Sequence, residues 1–225
     1  MGFYKPTIQQ GSYSRIGDYK KCPRLAKYKH IDKIKTPENQ AMLRGKELHK
    51  QAEEYIQLKD PQVNPPTALW NVVQQMRELA ALTDPQTELQ MAVTVDWEPC
   101  GWFDATVYLR AVVDVLSISG PEALVVDHKT GKIYDGHSEQ AKIYGAFILA
   151  CYPDVQTVKV KFLYIDQGTD ADYFYNRSEL EALKAPWDEI MATMRADDIF
   201  PTNPGRACNW CDFSAKKGGP CEHGL

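Results

Sequence analysis

The sequence predicts a mixed α/β (α+β) chain in which helices flank a central sheet. Three observations carry that expectation. Apolar residues recur at helical spacing before residue 85, β-branched segments dominate 88–128, and an apolar helix pattern followed by further strands occupies 136–175.

Ser12 and Ser14 precede Ile16, Tyr19 and Leu25, so a first helix is expected from a Ser14 cap to about Tyr28. Pro23 interrupts it and suits the start of a second helix after Cys22. A loop through Thr36 and Pro37 leads to a helix over 41–58. Pro61, Pro65 and Pro66 mark the connection 59–67, and Leu69, Val72, Val73, Met76 and Leu79 form the apolar face of a helix over 68–82. Strands are expected over 88–95, 102–109, 111–118 and 122–128, the last two joined by a turn containing Ser119, Gly120 and Pro121. A helix over 136–151 presents Ile143, Phe147 and Ile148 to the sheet, and strands follow over 157–165 and 172–175. Ser178 with Glu181 predicts a capping box for a helix over 179–195, which Pro186 interrupts.

At 225 residues and 25.5 kDa the chain can bury a substantial core as one domain, 1–225. Within it a basic helical part covers 1–60, the α/β core 85–176, and a helical, cysteine-rich part 177–225. No apolar stretch reaches membrane-spanning length, and the opening MGFYKPTIQQGSYS has no signal-peptide hydrophobic region. Pro6 also stands where an N-myristoylation signal wants a small hydroxyl residue. A cytoplasmic protein with no membrane partner is expected, in the host cytoplasm if phage-encoded.

The formal net charge of −4 does not suggest a nucleic-acid partner, but its distribution does. Residues 1–50 hold twelve Lys or Arg against four Asp or Glu, a surplus of eight that leaves the rest at −12. Arg15, Lys20, Lys21, Arg24, Lys27, Lys29, Lys33 and Lys35, interleaved with Tyr13, Tyr19 and Tyr28, make either a phosphate-binding face or a solvated helix surface.

The chemistry concentrates in AVVDVLSISGPEALVVDHKTGK. If the chain reverses at Gly120, Asp114 and Asp127 approach on neighbouring strands, and Lys129 shares the face of Asp127. Two carboxylates and a lysine so placed can hold a divalent cation beside a phosphodiester. Upstream, His49 in RGKELHKQAEEY can add an imidazole nitrogen, and the backbone carbonyl of His128 an oxygen. That donor set suits Mg²⁺ or Mn²⁺. Glu88 is an acidic candidate for a second ion, for holding water, or merely a solvent-facing side chain. Gln140 and Tyr144, four residues apart, share a helix face. Gln140 is a candidate for positioning phosphate or water. Tyr144 either stacks on a nucleotide or packs in the core with its hydroxyl satisfied.

Cys208-x₂-Cys211, with Cys221 further on, is a candidate ligand set for Zn²⁺ or a 4Fe–4S cluster, and Cys22 is the candidate fourth thiolate. His223 is a rival fourth ligand that would favour zinc, and reduced structural cysteines are the plain alternative. Cys100 and Cys151 lack ligand spacing and read as core or incidental residues.

In order and spacing, SYSRIGDYKKCPRLAKY, RGKELHK, AVVDVL, VVDHKTGK, QAKIYG and the terminal CNWCDF with Cys221 resemble the RecB-like branch of the PD-(D/E)XK nuclease superfamily. The resemblance covers most of the chain and is greatest to CRISPR-associated and phage or bacterial recombination exonucleases. It implies a restriction-endonuclease-like sheet flanked by helices, with the N- and C-terminal segments joined by a cysteine metal centre. It also implies metal ligation by His49, Asp114 and Asp127, a catalytic Lys129, a helical motif at Gln140 and Tyr144, and an acidic position at Glu88. Cys22, Cys208, Cys211 and Cys221 look like the iron–sulfur set, although the Cys211–Cys221 interval is longer than in several compact relatives. The activity implied is metal-dependent exonucleolytic hydrolysis of single-stranded DNA or of duplex with free ends. The partners implied are recombination or CRISPR adaptation proteins, with a homo-oligomer as one arrangement. A non-catalytic DNA-binding component of such a complex is the alternative.

Overall fold

The computed structural model describes residues 7–134 and 136–223. Pro6 and the first six residues of the basic segment lie outside them, as do the last two residues of the chain. The chain divides into two compact units, one formed by 1–37 with 186–225 and the other by 38–185.

The first unit begins with β1 (Gly11–Ser12), α1 (Tyr13–Lys21) and α2 (Pro23–Ala26). The cap of α1 is Ser12 rather than Ser14: its side chain accepts the Arg15 N–H. Cys22 is extended, which ends α1 and lets Pro23 open α2 at its first position, where the missing N–H costs nothing. A π-helical turn, Lys27–Ile31, follows. Tyr19 donates to Asp197 at 2.7 Å, and Arg24 Nε donates to the Phe200 carbonyl at 2.7 Å. The two sequence-distant halves of this unit therefore share partly buried polar contacts.

In the second unit the helix α3 (Gln40–Gln57) starts at Asn39, whose side chain accepts the Met42 N–H. Leu48, Ala52, Tyr55 and Ile56 form its buried face. The helix expected over 68–82 divides into a 3₁₀ segment, Thr67–Val72, and α4 (Val73–Ala80). The strands are β2 (Gln86–Val93), β3 (Pro99–Cys100), β4 (Leu109–Ser119), β5 (Glu122–Lys129), β6 (Thr157–Tyr164) and β7 (Thr169–Asn176), with α5 (His137–Cys151) between β5 and β6. They lie in the order β3-β2-β4-β5-β6-β7, antiparallel except for β5 with β6. That one parallel pair is made possible by the α5 crossover. Residues 102–108 do not form the strand expected over 102–109. The Asp104 side chain accepts the Gly101 N–H at 2.7 Å and closes a turn there, the local bond with which aspartate competes against strand pairing.

Leu48, Ala52, Tyr55, Ile56, Leu69, Val72, Met76 and Leu79 pack with Val115, Val126, Leu163 and Ile165 on one face of the sheet. α5 covers the other, with Ile143, Tyr144, Phe147 and Ile148 buried. Each such aliphatic or aromatic side chain contributes about 1.5–3 kcal/mol by leaving water. A sheet buried on both faces explains the unbroken apolar run Leu124–Val126.

The helix α6 (Leu180–Ala196) contains Pro186 and is preceded by a capping box between Asn176 and Glu179, not Ser178 and Glu181. Among the described residues no helix is long and apolar enough to cross a membrane.

Candidate functional site

β4 and β5 are paired from Ser119↔Glu122 up to Val115↔Val126, and the ladder ends there. The next residues are Asp114 and Asp127. In place of a ladder bond, the Asp114 carboxylate accepts the His128 backbone N–H through Oδ2 at 2.7 Å. The strands thus separate where two carboxylates need room. On the far side β5 stays paired with β6 through Lys129↔Tyr164, so Asp127 and Lys129 sit on a firmly held strand.

Asp127 is buried at 3% exposure and is surrounded by donors. Lys129 Nζ lies 2.6 Å from its Oδ2, and the Tyr144 hydroxyl donates to Oδ1 at 2.6 Å. Gln140 joins these groups: its Nε2 donates to Asp127 Oδ1 at 3.1 Å, while its Oε1 accepts from Lys129 Nζ at 2.8 Å. Sequence reasoning placed Gln140 and Tyr144 on one face of one helix, and that face meets β5. Tyr144 is 5% exposed, so its ring offers no open face to a nucleotide, and the satisfied core tyrosine is the reading that holds.

Asp114 has a different set of partners. His49 Nδ1 lies 3.2 Å and His128 Nδ1 3.3 Å from its Oδ2. Potential donor atoms of His49, Asp114 and His128 all fall within 4.8 Å of one another, the one such His/Cys/Asp/Glu group among the described residues. His128, expected to offer only its backbone carbonyl, therefore also brings its side chain to the site. Its Nε2 is buried without a hydrogen-bond partner.

Glu88 stands opposite Asp114, between the pairs Thr87↔Val115 and Leu89↔Val113. Its φ of 48° is left-handed, a strained conformation for a glutamate inside a strand. Glu88 lines a recess of about 380 Å³ with Gly45, Lys46, His49, Lys50 and Glu53. Glu53 was not singled out from sequence, although its position one turn after His49 on the same helix face was the available signal.

Charge is unevenly distributed over these groups. Burial raises the Asp127 carboxyl above the usual range, and the neighbouring Asp114 charge reinforces it against the pull of Lys129. Burial would raise Asp114 too, but hydrogen bonds from His128 and His49 outweigh it and hold Asp114 low. For His49, burial favours the neutral ring, yet the bond to Asp114 and the charges of Asp114, Asp127 and Glu88 hold its pKa above the ordinary value. Burial and then the Asp114 charge push Glu88 up. His49, Asp114 and His128 make a candidate carboxylate and imidazole site for a divalent cation, while Asp127 lies outside that close group and is held by Lys129.

A latch between α3 and the turn after β6 also escaped sequence reasoning. Asp166, in the turn after β6, pairs with Arg44 of α3 and accepts the Gly131 N–H at 2.7 Å, fixing the turn that follows Lys129. Gly131 has φ 82°, which that turn requires.

In the first unit, Cys22, Cys208, Cys211 and Cys221 line one pocket together with His223. All four are free thiols, and backbone N–H groups of Asn203 and Gly205 point at the sulfurs of Cys22 and Cys208, each at 3.4 Å. The sulfurs do not close into a group as compact as that around Asp114. His223 Nε2 lies 3.2 Å from Thr202 Oγ1. In the second unit, Cys100 and Cys151 are both half-buried, and burial raises the Cys151 thiol to about 12.

No curated protein matches the sequence. Among solved structures, a presumed exonuclease from Eubacterium rectale is 12% identical with a TM-score of 0.52, over 93% of this chain and 87% of that one. The structure of SSO0001 is 17% identical with a TM-score of 0.46, over 98% and 89% respectively. The first of these likenesses is one of fold. The sequence itself goes further, since residues 10–215 match the PD-(D/E)XK nuclease superfamily, including every strand and the paired Asp127 and Lys129. The chain belongs to the PD-(D/E)XK nuclease superfamily.

Proposed function

We propose that the protein is a divalent-metal-dependent DNA exonuclease of the RecB-like kind, acting on single-stranded DNA or duplex ends in recombination, repair or phage DNA metabolism. The observation that carries this reading is the Asp127–Lys129 pair, locked by Gln140 and Tyr144, with Asp114 at the point where the strands part.

His49, Asp114 and Asp127 would hold Mg²⁺ or Mn²⁺, with His128 adding a donor; the imidazoles favour Mn²⁺. A divalent cation supplies Lewis-acid charge to the phosphodiester and lowers the pKa of nearby water. Lys129, aimed by Gln140 Oε1, places an ammonium where negative charge develops on the phosphate or orients the attacking water. Tyr144 and Gln140 fix the Asp127 carboxylate in one orientation, and Glu88 is placed to hold water or a second cation. Lys46 and Lys50, which line the recess with the carboxylates, supply charge complementary to a nucleic-acid backbone.

The proposal extends to the cysteine pocket, where Cys22, Cys208, Cys211 and Cys221 would hold a 4Fe–4S cluster with a structural role, or Zn²⁺ if His223 takes part. The shared pocket, the N–H groups facing two sulfurs and the tight Cys208-x₂-Cys211 spacing support it. Recombination or CRISPR adaptation proteins are the proposed partners, and a homo-oligomer one proposed arrangement.

The deciding experiment incubates anaerobically purified protein and Mn²⁺ with linear and covalently closed circular DNA of the same sequence, single-stranded and duplex. Loss of linear substrate with circles left intact is the exonuclease result. Cleavage of circles would replace it with an endonuclease, and no cleavage of either would leave the non-catalytic DNA-binding alternative.

A further inference from the structure

We infer that the segment between β5 and α5 carries a stacking subsite for an unpaired nucleobase, centred on Tyr134. The inference rests on the nuclease reading and deepens it by naming unstacked single-stranded DNA at the strand end as the form the site takes.

Tyr134 is 63% exposed and its neighbour Ile133 52%; Trp70, Phe103 and Phe174 of the same unit are exposed too, and what sets Tyr134 apart is its place in the chain. Tyr134 and Ile133 stand on the short segment that joins Lys129 to the helix carrying Gln140 and Tyr144. A continuous run of rings ties this exposed residue to the catalytic ammonium. Tyr134 meets His137 edge to face at 6.2 Å and 87°. His137 packs at a tilt against Phe162 and Tyr164, with centroids at 5.4 Å and ring planes 33° and 32° apart, and its Nδ1 is 2.9 Å from the Tyr164 hydroxyl. Lys129 Nζ sits 5.1 Å from the centre of the Phe162 ring. The T-shaped contact with His137 steadies Tyr134, and more than half of its surface stays open to solvent.

Burial and the charge of Lys129 both lower the pKa of His137, so a neutral imidazole backs the tyrosine and adds no repulsion beside the lysine. Lys132, exposed on the same segment, supplies positive charge for the phosphate joining one base to the next. An aromatic face flanked by cations matches single-stranded nucleic acid, because any base can stack there regardless of sequence. A base inside a duplex has both faces covered by its neighbours. The subsite therefore takes a base only from a single strand or a frayed end, next to the phosphodiester presented to Lys129.

The test measures binding by full-length protein in an Asp127→Asn background, where cleavage does not consume the probe. The probes are a single-stranded oligonucleotide with 2-aminopurine near one end or the other, the same strands with abasic positions there, and the blunt duplex. Tyr134→Ala is expected to weaken single-strand binding by between about 5-fold and 150-fold, the span of one aromatic–base stack, and to abolish the change in 2-aminopurine fluorescence. Tyr134→Phe should keep both, and the abasic strands and the duplex should hardly distinguish Tyr134→Ala from its parent. Single-strand affinity and fluorescence unaffected by Tyr134→Ala would overturn the subsite and leave the nuclease reading standing. An equal loss on abasic and duplex probes would also overturn it, since the tyrosine would then act on something other than a base. If no variant binds any DNA, the nuclease reading falls and the subsite with it.

Discussion

Tyr144→Phe removes one hydroxyl from a buried position and leaves the ring's volume in place, so its effect reports a hydrogen bond and not a cavity. The hydroxyl's 2.6 Å bond to Asp127 Oδ1 is lost. With it go the 2.8 Å bond it accepts from Gln140 Nε2 and a 3.2 Å contact to the Val112 carbonyl, so the cycle below isolates the part that belongs to Asp127. Asp127 keeps Gln140 Nε2 at 3.1 Å and Lys129 at 2.6 Å, so the carboxylate is weakened but not abandoned. A bond to a charged buried acceptor contributes about 1.5–3 kcal/mol. With a urea dependence of about 2 kcal/mol per molar, the metal-free variant should unfold about 1 M earlier. The Asp127 carboxyl, raised by burial and by Asp114, should rise further, so the variant should also bind Mn²⁺ more weakly at fixed pH. Urea unfolding and Mn²⁺ titration of wild type, Tyr144→Phe, Asp127→Asn and the double variant complete a cycle. In the Asp127→Asn background the tyrosine substitution should cost clearly less. A Tyr144→Phe change below about 0.5 kcal/mol, within the range of an ordinary surface substitution, would refute the claim that Tyr144 holds Asp127.

Other expectations follow from the same geometry. Lys129→Ala should leave the fold intact and lower cleavage by about 10²-fold or more, as loss of one preorganised donor does, and single-turnover rates check it. Glu88→Gly should raise the stability of metal-free protein by about 1 kcal/mol in thermal unfolding. It relieves a left-handed glutamate and its repulsion from Asp114, against the smaller entropy cost of glycine. Despite its burial, His49 has its pKa raised by Asp114, so its stabilising effect is complete below the unfolded value of about 6.5 and disappears as pH rises through the folded one. Asp114, held low by the two histidines against burial, contributes above its unfolded value of 3.8 and loses that contribution as pH falls through the folded one. Metal-free protein should accordingly gain most from this pair between about pH 4 and 6.5. Since metal must displace the His49 proton, apparent Mn²⁺ affinity should climb with pH and level off once His49 is neutral, which calorimetry at several pH values measures.

The parts legible in the sequence were those with local patterns. The turn at Gly120, the same-face placement of Asp127 and Lys129, and the shared helix face of Gln140 and Tyr144 follow from chain geometry alone, and all appear in the fold. Part of what escaped depends on long-range contact. The Asp166 latch on Arg44 and Gly131 joins residues far apart in sequence, and no periodicity announces it. The burial of Tyr144 depends on how α5 lies on the sheet, so stacking on a nucleotide and core packing looked alike. Residues 102–108 have strand composition, but one aspartate bonding a glycine N–H turned them into loop. Glu88 was noticed for its charge, while its strained backbone carries no signal in composition.

The most direct test of the central claim is release of label from end-labelled DNA by wild type, Asp114→Asn, Asp127→Asn and Lys129→Ala, each confirmed folded, with Mn²⁺ and with chelator. Metal-dependent release by wild type, abolished by chelator and lost in all three variants, is the predicted result. Release that continues in folded Asp127→Asn or Lys129→Ala would contradict the assignment of this site as the nuclease centre.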